Sequence, residues 1–171
     1  MSFFVLIRGP LGVGKTTVAT RVATELGARY VSIDGILDRP GVEEWDGERI
    51  TEASFLRVNR IAAADAGPLL ARGIPVIFDG NFYYESQVED LIRALSSPHE
   101  IFTLTAPLEE CIARDRQRGH SYGAGATRDV FELVGRFAVG IAVDARRPIS
   151  ATVEEIVERV RSTFRLPTPR R

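Results

Sequence analysis

The sequence predicts an α/β fold, a parallel sheet flanked by helices. Three observations predict it. Short apolar runs alternate with helix-length amphipathic stretches, a glycine-rich turn joins the first such run to the first helix, and acids stand at strand ends, where an open parallel sheet keeps its ligand. A chain of 171 residues, 44% apolar and 26% charged, supplies one domain with an ordinary core.

Taken in order, Phe3–Arg8 is a buried-strand candidate. The segment Lys15–Leu26 has helical spacing and stops at Gly27, the residue favoured just past a helix end. A second strand is expected at Tyr30–Ile33, and the Gly, Pro and Asp residues of Asp34–Gly47 mark a loop. A long helix runs from about Thr51 to Arg72 and is stopped by Gly73. Ile74–Phe78 reads as the third strand, Gln87–Leu95 as a helix and Ile101–Leu104 as the fourth strand. Leu108–Arg118 is helical, with Pro107 near its start, where a missing N–H costs little. Periodicity breaks over Gly119–Thr127 and returns as a helix over Asp129–Phe137. Gly140–Val143 suits the last strand, and Thr152–Phe164 the last helix, with Thr152 and Glu155 at capping-box spacing. Arg165–Arg171 reads as a frayed basic tail.

Charge and cysteine usage exclude several classes. Lys and Arg number 22 against 23 Asp and Glu, so the net charge of -1 creates no field that draws the chain onto nucleic acid or an anionic membrane. The single cysteine, Cys111, excludes an internal disulfide and a multi-cysteine zinc site, and with Leu108 and Ile112 it reads as core. The Met1–Arg8 start lacks the layout of a signal peptide, and no apolar run approaches the roughly 18 residues of a spanning helix. The expectation is a cytoplasmic protein, without membrane insertion, that is a monomer or homodimer. His99 and His120 have no metal-ligand spacing, and His120 is at most a hydrogen-bonding group of a lid.

Gly9-Pro10-Leu11-Gly12-Val13-Gly14-Lys15-Thr16 satisfies G-x-x-x-x-G-K-[ST] between a predicted strand and a predicted helix. The glycines let successive N–H groups point into one concavity, and the helix dipole adds positive character, so the main chain holds a triphosphate. Lys15 reaches the β- and γ-phosphates, the Thr16 hydroxyl ligates Mg²⁺, and Thr17 completes the nucleotide-contacting set. Lys15 is also the only lysine in an arginine-rich chain. A compact ammonium fits among phosphates where a planar fork does not.

Asp79 follows Ile74–Phe78 as a Walker-B aspartate does, facing the Mg²⁺ shell, although Asp79-Gly80-Asn81 is also good turn chemistry. Asp34 follows Tyr30–Ile33 on the acceptor side, where a carboxylate orients a hydroxyl and takes its proton; Asp34-Gly35 is likewise turn-competent. Arg114, Arg116 and Arg118 precede a glycine-rich flap, so the region from about 114 to 128 is expected to be a mobile lid. Arg114 and Arg118 share a helix flank and are the pair expected to neutralise transferring phosphate; the alternative is a solvated face with Asp115 as local partner. Arg146 and Arg147 are placed to stack on a base. Arg57 and Arg60 lie at helical spacing in an acceptor region of about 34–60, where Arg57 is a candidate for an anionic acceptor and solvated surface is the alternative. Trp45 walls that site or anchors packing.

With these residues the chain resembles the P-loop kinases of small metabolites and nucleic-acid ends, which include shikimate and gluconate kinases, chloramphenicol phosphotransferase, zeta-type toxins and polynucleotide 5′-kinases. The resemblance rests on the phosphate loop, Asp34, Asp79-Gly80-Asn81, the Arg114–Arg118 lid and Val143-Asp144 before the closing helix. It implies a three-layer P-loop NTPase fold with a five-stranded sheet in the order 2-3-1-4-5, Asp34 as acceptor-side base and Asn81 in the active site. The Asp79-Gly80-Asn81-Phe82 run replaces the triple glycine of shikimate kinases, and the Asp34–Asp46 loop differs from that of gluconate kinase. The resemblance, with the lack of an N-K-x-D guanine signature, implies ATP. The expected activity is Mg²⁺-ATP-dependent transfer of the γ-phosphoryl group to a hydroxyl of a small molecule. The alternatives are a nucleotide, nucleoside or polynucleotide 5′-hydroxyl kinase and a slow ATPase switch. The acidic run Glu43-Glu44-Trp45-Asp46 argues against a polyanionic acceptor.

Overall fold

The structure is a computed structural model that describes residues 2–47, 49–119 and 121–167. From the N-terminus come β1 (Phe4–Arg8), α1 (Lys15–Leu26), β2 (Arg29–Ser32), α2 (Ile33–Leu37) and a small hairpin, β3 (Trp45–Asp46) and β4 (Arg49–Ile50). There follow α3 (Glu52–Ala71), β5 (Val76–Gly80), α4 (Glu85–Leu95), β6 (His99–Thr105), α5 (Leu108–Arg116), α6 (Ala124–Val134), β7 (Ile141–Asp144) and α7 (Ile149–Phe164). The main sheet runs β2-β5-β1-β6-β7 with every pairing parallel. Numbered within that sheet, the order is 2-3-1-4-5, as the resemblance implies.

The central strand explains its own composition. Phe3, Val5 and Ile7 pack with Val18 and Val22 of α1 and Ile156 and Val160 of α7. Phe4 and Leu6 pack with Val58 and Ala62 of α3 and Val88 and Leu91 of α4. With helices on both faces, β1 needs apolar residues from Phe4 to Ile7, hence the unbroken run before Arg8.

Several expected boundaries shift, each for a packing reason. The Asp34–Gly47 loop contains α2 and the first strand of the hairpin, because the Ser32 hydroxyl accepts from the Gly35 N–H at 3.0 Å while Ile33, Ile36 and Leu37 are buried. Asp34 therefore lies in the first turn of α2, not directly after the strand. Asp79 is inside β5, because the ladder continues to the pair of Arg8 with Gly80. Helix α5 stops at Arg116, so Arg118 lies beyond it instead of on its flank. Helix α6 begins at Ala124, five residues before the expected Asp129, after Gly123 takes a φ of 89°. Helix α7 begins at Ile149 after an extended Pro148, so Thr152 is a buried residue of its first turn and not its cap. His120 and residues 168–171 of the expected tail lie outside the described residues, and no described helix is long and apolar enough to cross a membrane.

Candidate active site

The C-terminal ends of β1 and β5 and the helix after β2 bring the site together. Gly9, Gly12 and Gly14 have φ values of 154°, 77° and 102°, which curl the chain between β1 and α1. Gly14 is the N-cap of α1 and has no side chain to satisfy the first-turn N–H groups, which leaves them to a ligand. A Cβ at Gly12 would stand 2.1 Å from the Cys111 carbonyl oxygen, so the loop lies directly on the backbone of α5. Pro10 and Val13 are buried, Leu11 is half-buried, and Thr17 is exposed on the first turn of α1.

The Lys15 ammonium donates to the Pro10 carbonyl at 3.0 Å and to Asn81 Oδ1 at 2.8 Å. Burial pushes its pKa below the ordinary lysine value, while the carboxylates of Asp34 and Asp79 oppose that shift. Asp79, 1% exposed, accepts from Thr16 Oγ1 at 2.8 Å through one oxygen and from the Tyr30 hydroxyl at 2.9 Å through the other. Burial, then the adjacent Asp79 carboxylate, pushes the Tyr30 hydroxyl up to about 12, so it stays a donor. Asn81 also donates through Nδ2 to the Tyr83 hydroxyl at 2.8 Å, and the Tyr83 ring packs edge-on against Phe55. Between them Phe82 is held at a φ of 50°, a conformation a bulky residue avoids unless its surroundings impose it; here its ring is buried. The Asp34 carboxyl is pushed up first by burial, with Asp79 adding to the shift and Lys15 opposing it.

On the opposite side of the loop, Gly12, Val13, Arg114, Arg118, Arg146 and Arg147 help line a cleft of about 470 Å³. Arg114 donates to the Val13 carbonyl at 3.2 Å and the Ala145 carbonyl at 2.9 Å and pairs with Glu110, so it ties the phosphate loop to the turn after β7. Arg146 makes a forked pair with Asp144, with Nη2 to Oδ2 at 2.7 Å, and Arg147 pairs with Glu155. A guanidinium whose edge is occupied in this way keeps its flat face for a base.

Arg57 is placed differently from its expected role. Its guanidinium donates to the carbonyls of Gly41 at 3.3 Å and Val42 at 2.9 Å and pairs with Glu44 at 2.7 Å, so it braces the loop instead of standing free for an anionic acceptor. Trp45 is 58% exposed and anchors no core. Asp115 is not a partner on a solvated face: it is 1% exposed and accepts from the Ser121 hydroxyl at 2.7 Å and the Gly123 N–H at 3.1 Å. Burial favours its protonated form, but the hydrogen bonds from Ser121 and the backbone of Gly123 and Tyr122, with Arg118 nearby, outweigh burial and hold its pKa below the usual value. Its stabilising effect is thus present above the ordinary carboxylate range and is lost only as pH falls through the depressed value. Asp115→Ala should therefore loosen residues 121–123 at neutral pH and accelerate limited proteolysis there by about fivefold or more, the loss of about one charged hydrogen bond. Cleavage at the wild-type rate would show that the clasp does not hold the segment.

Tyr30 and Tyr83 escaped the sequence reading as site residues, and Asp115 entered it only as a local partner of arginines. Nothing local distinguishes a tyrosine in a strand whose hydroxyl meets an acid 49 positions away. Asp115 did carry a signal, being the one acid among three arginines.

The site fits Mg²⁺ and a triphosphate. Thr16 Oγ1 and Asp79 Oδ2 are paired oxygen donors, suited to a hard cation, and among the described residues no cluster of three His, Cys, Asp or Glu forms a metal cage of its own. A cation here would take its remaining ligands from phosphate oxygens and water.

A family model described as an AAA domain matches residues 4–136, most of the chain. The cytidylate kinase of Ignicoccus hospitalis is 34% identical over 122 residues, covering 69% of this chain; this chain spans 66% of that protein's length. The shikimate kinase of Streptomyces avermitilis is 29% identical over 161 residues, 90% of this chain and 83% of that protein. The unliganded structure of a sugar kinase from Janibacter sp. superposes with a TM-score of 0.81 at 20% identity, over 99% of this chain and 100% of that one, a likeness of fold. The chain belongs to the AAA-domain family of P-loop proteins and is a relative of the P-loop small-molecule kinases.

Proposed function

We propose that this protein is a kinase that transfers the γ-phosphoryl group of ATP to a hydroxyl of a small molecule. The observation that carries the reading is the meeting of Lys15 and Thr16 with Asn81 and Asp79 at the end of β5, with Asp34 of α2 close enough that its charge acts on Lys15 and the Asp79 charge acts on it. Backbone N–H groups of the phosphate loop bind the triphosphate, and Lys15 exchanges its internal partners for the β- and γ-phosphates. Thr16 and Asp79 would hold Mg²⁺, which when bound would supply charge neutralisation at the phosphates. Asp34 accepts the proton of the acceptor hydroxyl, a task suited to a carboxylate whose pKa burial has raised. Arg114 and Arg118 place positive charge against the transferring group, and Arg146 and Arg147 flank the base.

The acceptor stands on the Asp34 and Tyr83 side. A nucleotide acceptor is a second reading, supported by the likeness to cytidylate kinase; the acidic run Glu43-Glu44-Trp45-Asp46 in the acceptor region speaks against it. A screen of sugars, polyols, nucleosides, nucleotides and 5′-hydroxyl oligonucleotides for acceptor-dependent ADP release tests both. Release driven by a nonionic hydroxyl compound is the expected result. Release driven only by nucleotides favours the second reading, and hydrolysis indifferent to every acceptor makes the protein an ATPase switch.

A further inference from the structure

Arg8 has no part in this chemistry, yet it is the most unusual side chain in the molecule. It ends β1, is 0% exposed, and among the described residues no carboxylate pairs with it. By strand alternation it shares the face of Phe4 and Leu6, so an apolar residue would fill the place without a buried charge, which is expensive to bury unpaired. Burial lowers its pKa only to about 10, leaving it a cation at neutral pH.

Its donors explain the charge. Nη2 donates to the Phe82 carbonyl at 3.2 Å and the Val134 carbonyl at 2.9 Å, Nη1 donates to the Phe137 carbonyl at 3.3 Å, and the guanidinium lies 4.1 Å from the centre of the Phe137 ring. Val134 is the last residue of α6, where carbonyls lack helical partners and a cation meets the negative end of the dipole. Phe82 stands between Asn81, which holds Lys15, and Tyr83, which Asn81 holds in turn. Gly9, the next residue along, begins the phosphate loop. Helix α6 is therefore tied at both ends, by Asp115 at Gly123 and by Arg8 at Val134.

We propose that Arg8 is a positioning residue that locks the end of α6 to the Asn81–Tyr83 segment, so that the lid region and the side chain that holds Lys15 move as one unit. The lock itself is independent of the kinase reading; only its response to nucleotide rests on that reading. Hydrogen exchange of wild type, Arg8→Lys and Arg8→Met tests it at a temperature where circular dichroism shows each protein folded. Without nucleotide, amides of α6 and of residues 82–84 should exchange about tenfold faster in Arg8→Met, those of α1 and α7 should be unchanged, and Arg8→Lys, which keeps the charge but not the fork, should fall between. With MgATP, wild type should gain protection in α6 and at residues 82–84 together, and Arg8→Met in one without the other. A uniform acceleration that includes α1 and α7, or none, overturns the proposal. Should Arg8→Met fail to fold, Arg8→Lys alone decides by the same local pattern. If calorimetry finds no MgATP binding to wild type, the kinase reading fails while the nucleotide-free exchange still judges Arg8.

Discussion

Asp34→Asn is expected to lower phosphoryl transfer by about 10²- to 10⁴-fold, the range of a general base, while the dissociation constant for MgATP stays within about threefold of wild type because the phosphate loop is untouched. The same substitution has a stability signature of the opposite sign. Burial raises the folded-state pKa of Asp34 above the ordinary carboxylate value, so the group favours the fold at acid pH and loses that contribution as pH rises through the raised value. At neutral pH the wild type holds a carboxylate in a poorly solvated place, and an uncharged amide avoids that penalty. The variant should therefore melt above wild type at pH 7, with the difference shrinking toward pH 4. Calorimetric melting at both pH values, with turnover measured on the acceptor found by screening, checks both arms. Unchanged turnover removes Asp34 from the chemistry.

Gly12→Ala should abolish nucleotide binding and cost about 3 kcal/mol or more of stability, from left-handed strain plus overpacking. The added Cβ would lie 2.1 Å from the Cys111 carbonyl oxygen and 2.9 Å from its carbon, both backbone atoms of α5 that no rotamer change can move. Gly14→Ala is the control: its Cβ meets nothing within 4 Å, so only backbone strain at a φ of 102° remains, about 1–2 kcal/mol. Chemical denaturation and titration with MgATP distinguish the two. Equal costs would mean that the loop does not rest on α5.

Gly12 shows where reading the chain stops. It occupies a variable position of the phosphate-loop pattern, so the pattern gives no reason for a glycine there; the reason is a helix that begins 96 residues later. The parallel sheet was legible because β1, with helices on both faces, is apolar on both faces from Phe4 to Ile7. Lys15 and Thr16 were legible because eight contiguous residues carry their pattern, and Asp34 and Asp79 because each stands at or near a strand end. Arg57 misled because helical spacing reports which face a residue occupies but not which carbonyls await it; those of Gly41 and Val42 lie in a loop with no periodicity.

The sequence by itself determined the α/β class, the place of the phosphate loop and the acids beside it, since each follows from spacing within a few residues. Only the tertiary structure decided that Tyr30 and Thr16 share Asp79, that Asp115 clasps the segment before α6, and that Arg8 gathers carbonyls from two distant segments. A buried donor or acceptor takes whichever partner folding brings within about 3 Å, and that distance has no counterpart along the chain.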